Sequence, residues 1–206
     1  LYPEQLTWYE GVVTELKSKG CNETTIISHI PIYAYRTAYE AAWNKDYKPE
    51  EVTYEMAKTG VCWNEGYKNS FGINLEGICS YDFDEGMFDL IKKLGSTKLY
   101  ICGHDHINTT CIEYEGVKLM YGLKTGRGCY YKAPYNGGTV ISIGSDGKVK
   151  AELGDDPSRT GVYSFSFSIN NLTDHALSYA LSADLFAQDS FYYNASATEL
   201  HMDYWT

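Results

Sequence analysis

The sequence predicts an α/β protein. Three observations carry that prediction: short β-branched or apolar runs that end in histidines, amphipathic stretches of helical spacing between them, and a two-strand turn signal late in the chain. Thr24-Thr-Ile-Ile-Ser28, Lys98-Leu-Tyr-Ile-Cys102 and Val117-Lys-Leu-Met-Tyr121 read as strands. Strands alternating with helices build an open sheet, and ligands bind such a sheet at the C-terminal ends of its strands.

Each element has its own justification. Pro3 to Lys19 reads as an amphipathic helix, with Pro3 suited to the first turn, Leu6, Tyr9, Val13 and Leu16 on one face, and Gly20 as the stop. The strand at Thr24 delivers Ser28-His29-Ile30-Pro31, where Pro31 biases Ile30 to extended backbone. Tyr35 to Asn44 is a helix with Ala38, Ala41 and Ala42 as close-packing positions. Residues 47–71 are irregular and long for a connection; Trp63, Tyr67 and Phe71 either line a cleft or pin the loop down. Asp84 reads as the N-cap of a helix with Met87, Phe88, Ile91 and Leu94 as its apolar stripe and Gly95 as its stop.

The strand ending at Cys102 runs into Gly103-His104-Asp105-His106, with Gly103 expected to let the backbone turn sharply. Val117 to Tyr121 is entered through a Glu115-Gly116 turn and leads to Gly122-Leu-Lys-Thr-Gly-Arg-Gly128, a strand-to-turn connection or an anion-approaching loop. Gly138 to Ile143 and Lys148 to Leu153 form a hairpin through Gly144-Ser-Asp-Gly147. Residues 1–153 are thus one domain. Residues 154–206 are a β-rich accessory segment, in which Tyr163, Phe165, Phe167 and Ile169 alternate with serines.

The net charge of −10 over 206 residues, with no basic run, argues against nucleic-acid and anionic-membrane partners. No apolar stretch reaches the length of a membrane span. The chain opens Leu-Tyr-Pro-Glu-Gln, without an initiating Met or a leader, and is expected to be a piece of a longer translation product. Its six cysteines form no Cys-x-x-Cys pair, which argues against a zinc ribbon. Together with sequons at Asn22, Asn108, Asn171 and Asn194, they predict a disulfide-permissive, secreted or cell-surface glycoprotein. Cys62 to Cys79 is the best single bridge, whereas Cys102 reads equally well as a buried thiol.

His104 and His106 are the candidate metal ligands. Alternate residues of extended backbone point the same way, so the two rings can converge on one ion or each reach one of two neighbouring ions. Asp105 points elsewhere or orients a ring. The plain alternative is a surface loop that happens to hold two histidines, and a lone His29 after a strand is an ordinary hydrogen-bonding residue.

His29-Ile30-Pro31 after one strand and Gly103-His104-Asp105-His106 after another resemble the calcineurin-like metallophosphoesterases. Asn108, Tyr121-Gly122-Leu-Lys-Thr-Gly126 and the Gln5-Leu6-x-Trp8 start resemble the purple-acid-phosphatase-like branch. The resemblance spans roughly residues 3–150. It implies half of a four-layered α/β/β/α sandwich around two metal ions (Fe, Zn or Mn) that hydrolyses a phosphoester substrate. On it His29 and His104 ligate one ion and His106 the other, with Asp105 and Asn108 supporting them. The family's Asp-x-His, Gly-Asp and Asn-His motifs have no counterpart before His29, and Ala34 stands where the branch often has Glu. The resemblance therefore implies that an upstream half of the polypeptide, or a companion chain, supplies the bridging carboxylate and the general acid. Two alternatives stay open: a non-catalytic extracellular binding or structural module, and a single zinc ion held by the three histidines.

Overall fold

A computed structural model describes residues 1–125, 129–132, 135–143 and 149–153. The accessory segment 154–206, with the alternating run at Tyr163 and the sequons at Asn171 and Asn194, lies outside them, as do Gly126 to Gly128 and the Gly144 to Gly147 turn.

The fold is α/β. Helix α1 (Pro3–Ser18) is followed by β1 (Thr24–Ile27), α2 (Ala34–Ala42), a short α3 (Tyr54–Ala57), α4 (Met87–Leu94), and strands β2 (Thr97–Cys102), β3 (Cys111–Tyr114), β4 (Val117–Tyr121), β5 (Thr139–Ile143) and β6 (Val149–Leu153). Four strands form one sheet in the order β1-β2-β4-β3, and β5 and β6 pair as the expected hairpin. β1, β2 and β4 run parallel, with Ile27 beside Ile101 and Ile101 beside Met120. Parallel strands buried on both faces read as continuous apolar runs, which explains Leu99 to Cys102 and Leu119 to Tyr121, all buried.

β3 was not evident in the sequence. It pairs antiparallel with β4 across Glu115-Gly116, whose φ values of 47° and 81° are both left-handed, the geometry of a tight primed hairpin turn.

The helices cover the sheet through a few anchors. Tyr9 and Val13 are the buried positions of α1, while Leu6 and Leu16 are only half-buried. The Tyr9 hydroxyl shares a hydrogen bond with Thr97 at the start of β2. α1 also meets α4, where Lys93 pairs with Glu10 at 2.7 Å and Lys17 donates to the Leu94 carbonyl at 2.7 Å. In α2, Ala34, Tyr35, Ala38 and Ala42 face inward, but Ala41 is exposed. Tyr35 stitches the middle of the sheet: its hydroxyl donates to the Tyr100 carbonyl at 2.8 Å and accepts the Met120 N–H at 3.1 Å. Asp84 does not cap α4 directly. It accepts the N–H of Gly86 at 2.8 Å, and left-handed Gly86 is the capping residue.

The long connection is pinned by its aromatic residues rather than open as a cleft. Trp63 is fully buried, edge-on to Trp43 at 5.1 Å and to Tyr39 at 6.2 Å. Farther on, residues 71–74 lie antiparallel against 108–111: Phe71 and Cys111 exchange backbone hydrogen bonds at 3.1 and 2.9 Å, and Thr109 donates to the Ile73 carbonyl at 2.8 Å. Gly72 makes this approach possible, since its φ is +87° and a Cβ there would overlap the Thr109 carbonyl.

The expected Cys62–Cys79 bridge is not formed, and both thiols are free. Cys62 is fully buried beside Trp63, whereas Cys79 is exposed. The Asn108 sequon is likewise corrected. Its side chain is 1 % exposed and its amide is engaged on both ends, which leaves no room for a glycan. Asn22 is exposed.

Candidate metal centre

The parallel ladder does not stop where β1 and β2 stop. Ser28 donates to the Ile101 carbonyl at 2.9 Å, and Gly103 donates to the His29 carbonyl at 3.0 Å. His29 and His104 therefore leave the sheet from adjacent strand ends, and their rings meet edge-on with centroids 5.2 Å apart. The sharp turn falls on His104 itself, at φ +70°, and not on Gly103. A non-glycine residue in that region is uncommon, and held strain of this kind gathers at functional sites.

Asp105 explains how the turn is held. Its carboxylate is buried beneath the histidines at 5 % exposure and meets polar groups on both oxygens. Oδ1 lies 3.2 Å from His104 Nδ1. Oδ2 accepts the Cys79 N–H at 3.1 Å, the Asn108 side-chain amide at 3.3 Å and the Tyr121 hydroxyl at 2.6 Å. Burial, then the Cys102 thiol, then the bond to Asp105 push the Tyr121 phenol far above its usual range, so Tyr121 is the donor and Asp105 the acceptor. Asn108 closes the base by accepting the N–H groups of Leu75 and Glu76 at 3.0 and 3.1 Å.

His106 is held separately. Its ring stacks on Tyr130 with centroids 4.4 Å apart, and its Nδ1 lies 3.1 Å from the Tyr130 carbonyl oxygen. Glu76 ties this corner together, accepting the Ile107 N–H at 2.8 Å and the Tyr130 hydroxyl at 2.7 Å.

A metal-binding imidazole needs one ring nitrogen free and the other held by an acceptor. His104, through Asp105, and His106, through the Tyr130 carbonyl, meet that requirement at Nδ1, leaving Nε2 to bind. These residues suit the histidine half of a metal centre. They do not suit a complete two-ion centre, because three neutral rings cannot offset the repulsion between two cations and Asp105, whose Oδ2 is fully engaged from below, has a single oxygen left to offer.

Among the described residues, the His, Cys, Asp and Glu donor atoms that gather closely enough to share one ion belong to Cys79, His104 and Asp105, within 4.8 Å of one another. His29 and His106 stand outside that group. Sequence reasoning missed the approach of Cys79 to His104 and Asp105, because no spacing rule links it to a histidine on another loop. It also missed Glu76 and Tyr130.

The chain is similar in part to two Arabidopsis thaliana proteins. It is 36 % identical over 62 residues to "Probable inactive purple acid phosphatase 29", which covers 30 % of this chain and 16 % of that protein. It is 36 % identical over 55 residues to "Probable inactive purple acid phosphatase 14", covering 27 % of this chain and 14 % of that protein. The matched segments thus span less than a fifth of either relative's length. No protein-family model matches the chain, and no solved structure does. The similarity is partial, covers less than a third of this chain, and is to two proteins both named inactive.

Proposed function

We propose that this chain contributes the histidine half of a two-metal site for phosphoester hydrolysis. The observation that carries the reading is the meeting of His29 and His104 at the hydrogen-bonded ends of β1 and β2, over a carboxylate that orients one of the rings. His29 and His104 would hold one ion and His106 the other. Carboxylates and a general acid come from an upstream half of the polypeptide or a companion chain, and the two halves together form the layered sandwich. The ions, Fe, Zn or Mn, would supply an activated water and charge stabilisation for an in-line displacement at phosphorus. Asp105 keeps the His104 ring in one tautomer and one orientation, and Tyr121 and Asn108 keep Asp105 in place. An extracytoplasmic setting belongs to the same reading, supported by the exposed Asn22 sequon.

A second reading, a non-catalytic module on the same fold, is favoured by the word "inactive" in both relatives' names and by His106 being stacked on Tyr130. The deciding experiment uses the full-length protein, loaded in turn with Fe, Zn and Mn, and measures metal content and 4-nitrophenyl phosphate hydrolysis with and without His104→Ala. Two bound ions and turnover lost in the variant support the hydrolase. Absence of turnover in the metal-loaded wild type overturns it.

A further inference from the structure

We propose that Cys79, His104 and Asp105 form a mononuclear site for a borderline-soft divalent cation, Zn²⁺, which this chain holds without any second half. The three donor atoms lie within 4.8 Å of one another, a sulfur, a nitrogen and an oxygen on two loops that a single carboxylate ties together. Three protein ligands with a fourth position left for water is the arrangement of open zinc sites.

The donors are fixed before any ion arrives. Asp105 pins the Cys79 backbone through Oδ2 at 3.1 Å and orients His104 through Oδ1 at 3.2 Å. Oδ1 carries that one hydrogen bond while Oδ2 carries three; the ion would take the place of the proton between Oδ1 and His104 Nδ1, which lie 3.2 Å apart, so that His104 binds here through Nδ1 with its ring proton on Nε2. The residue after Cys79 is clamped as well: Arg36 donates to the Ser80 hydroxyl at 2.7 Å and to its carbonyl at 3.1 Å.

Cys79 also differs from the other thiols near the core. Cys62, Cys102 and Cys111 are buried, out of reach of an incoming ion. Cys79 is exposed beside an imidazole, open to an incoming ion. A sulfur donor favours zinc over manganese, magnesium and calcium. One thiolate and one carboxylate neutralise one divalent ion, and the thiol proton is released to solvent. Because His104 is shared, this site and the two-metal arrangement compete for the same ring.

The test titrates the metal-free chain with Co²⁺ alone and then with Zn²⁺. A thiolate-to-cobalt charge-transfer band that saturates at one ion per chain and is displaced by Zn²⁺ is the expected result. Cys79→Ser, an exposed substitution whose fold is checked by circular dichroism, loses the band and binds Zn²⁺ at least about tenfold more weakly. Cys21→Ser and Cys129→Ser keep it. No band in the wild-type chain, or an intact band in Cys79→Ser, overturns the site. A missing band with hydrolysis intact in the full-length protein sinks this site alone, and an intact band without hydrolysis sinks the phosphatase reading alone.

Discussion

Tyr121 donates its hydroxyl to Asp105 at 2.6 Å, from the last residue of β4 to the loop beyond β2, in the buried floor of the histidine cluster. The bond joins the sheet to the candidate site, because Tyr121 lies in register beside Cys102 and edge-on to Tyr35 at 5.3 Å. A side chain buried for packing thus also steadies the carboxylate that steadies His104.

Tyr121→Phe removes that donor and keeps the ring. Asp105 retains Cys79, Asn108 and His104 as partners, so the fold survives with a loss of about 1–2 kcal/mol in urea unfolding. Zn²⁺ affinity falls in the same variant. An unchanged unfolding midpoint would remove Tyr121 from the network.

Alkaline pH destabilises the fold. Burial raises the Cys111 thiol from 9.0 to about 12, and burial raises the Tyr100 phenol from 10.0 to about 12. Above pH 9 the unfolded chain gives up protons that the folded chain keeps, so stability is complete below that pH and declines up to about pH 12. Each group contributes roughly 1 kcal/mol per pH unit within its window. Urea midpoints at pH 8 and pH 10.5 measure the decline, and Cys111→Ala should lessen it; a midpoint that stays level would contradict the burial of these groups.

Gly72→Ala is expected to cost several kcal/mol, about 2 from the left-handed backbone alone and more from the overlap with Thr109. The damage spreads from residues 71–74 to the loop carrying Asn108 and Asp105, so Cys79 loses its position beside His104. Hydrogen exchange at Thr109 and Cys111 reports the loosening. Wild-type protection in this variant would mean that the two segments are not in contact in solution.

Tyr130→Ala releases His106. The stacked ring and the Glu76 bond are on the surface, so stability changes by no more than about 0.5 kcal/mol. The His106 ring-proton resonances move as the ring current of Tyr130 is lost. Resonances that stay in place would mean that the stack is absent in solution.

The elements were legible where their residues repeat with a clear period or are bounded by turn residues. β1, β2, β4 and the β5–β6 hairpin lie where apolar runs and turn residues indicated, and α1 and α4 follow their stripes. β3 escaped because Cys111 to Tyr114 is four residues of mixed polarity whose identity as a strand depends on β4 beside it. Ala41 looked interchangeable with Ala42, yet only one faces the sheet. The adjacency of His29 and His104 followed from reading both as strand ends. The approach of Cys79 did not, since it is made by the 71–76 segment lying along 107–111, a long-range pairing that leaves no local pattern.

The distance from His29 to His104 is borrowed from the sheet. Gly103 bonds to the His29 carbonyl as one more rung, so the spacing of neighbouring strands, about 4.8 Å in any β-sheet, governs how far apart the two rings emerge. Mutation can refashion every group surrounding the pair, but it cannot retune that gap without breaking the backbone pairing beneath. Whatever chemistry this corner performs is measured out by a ruler common to all β structure.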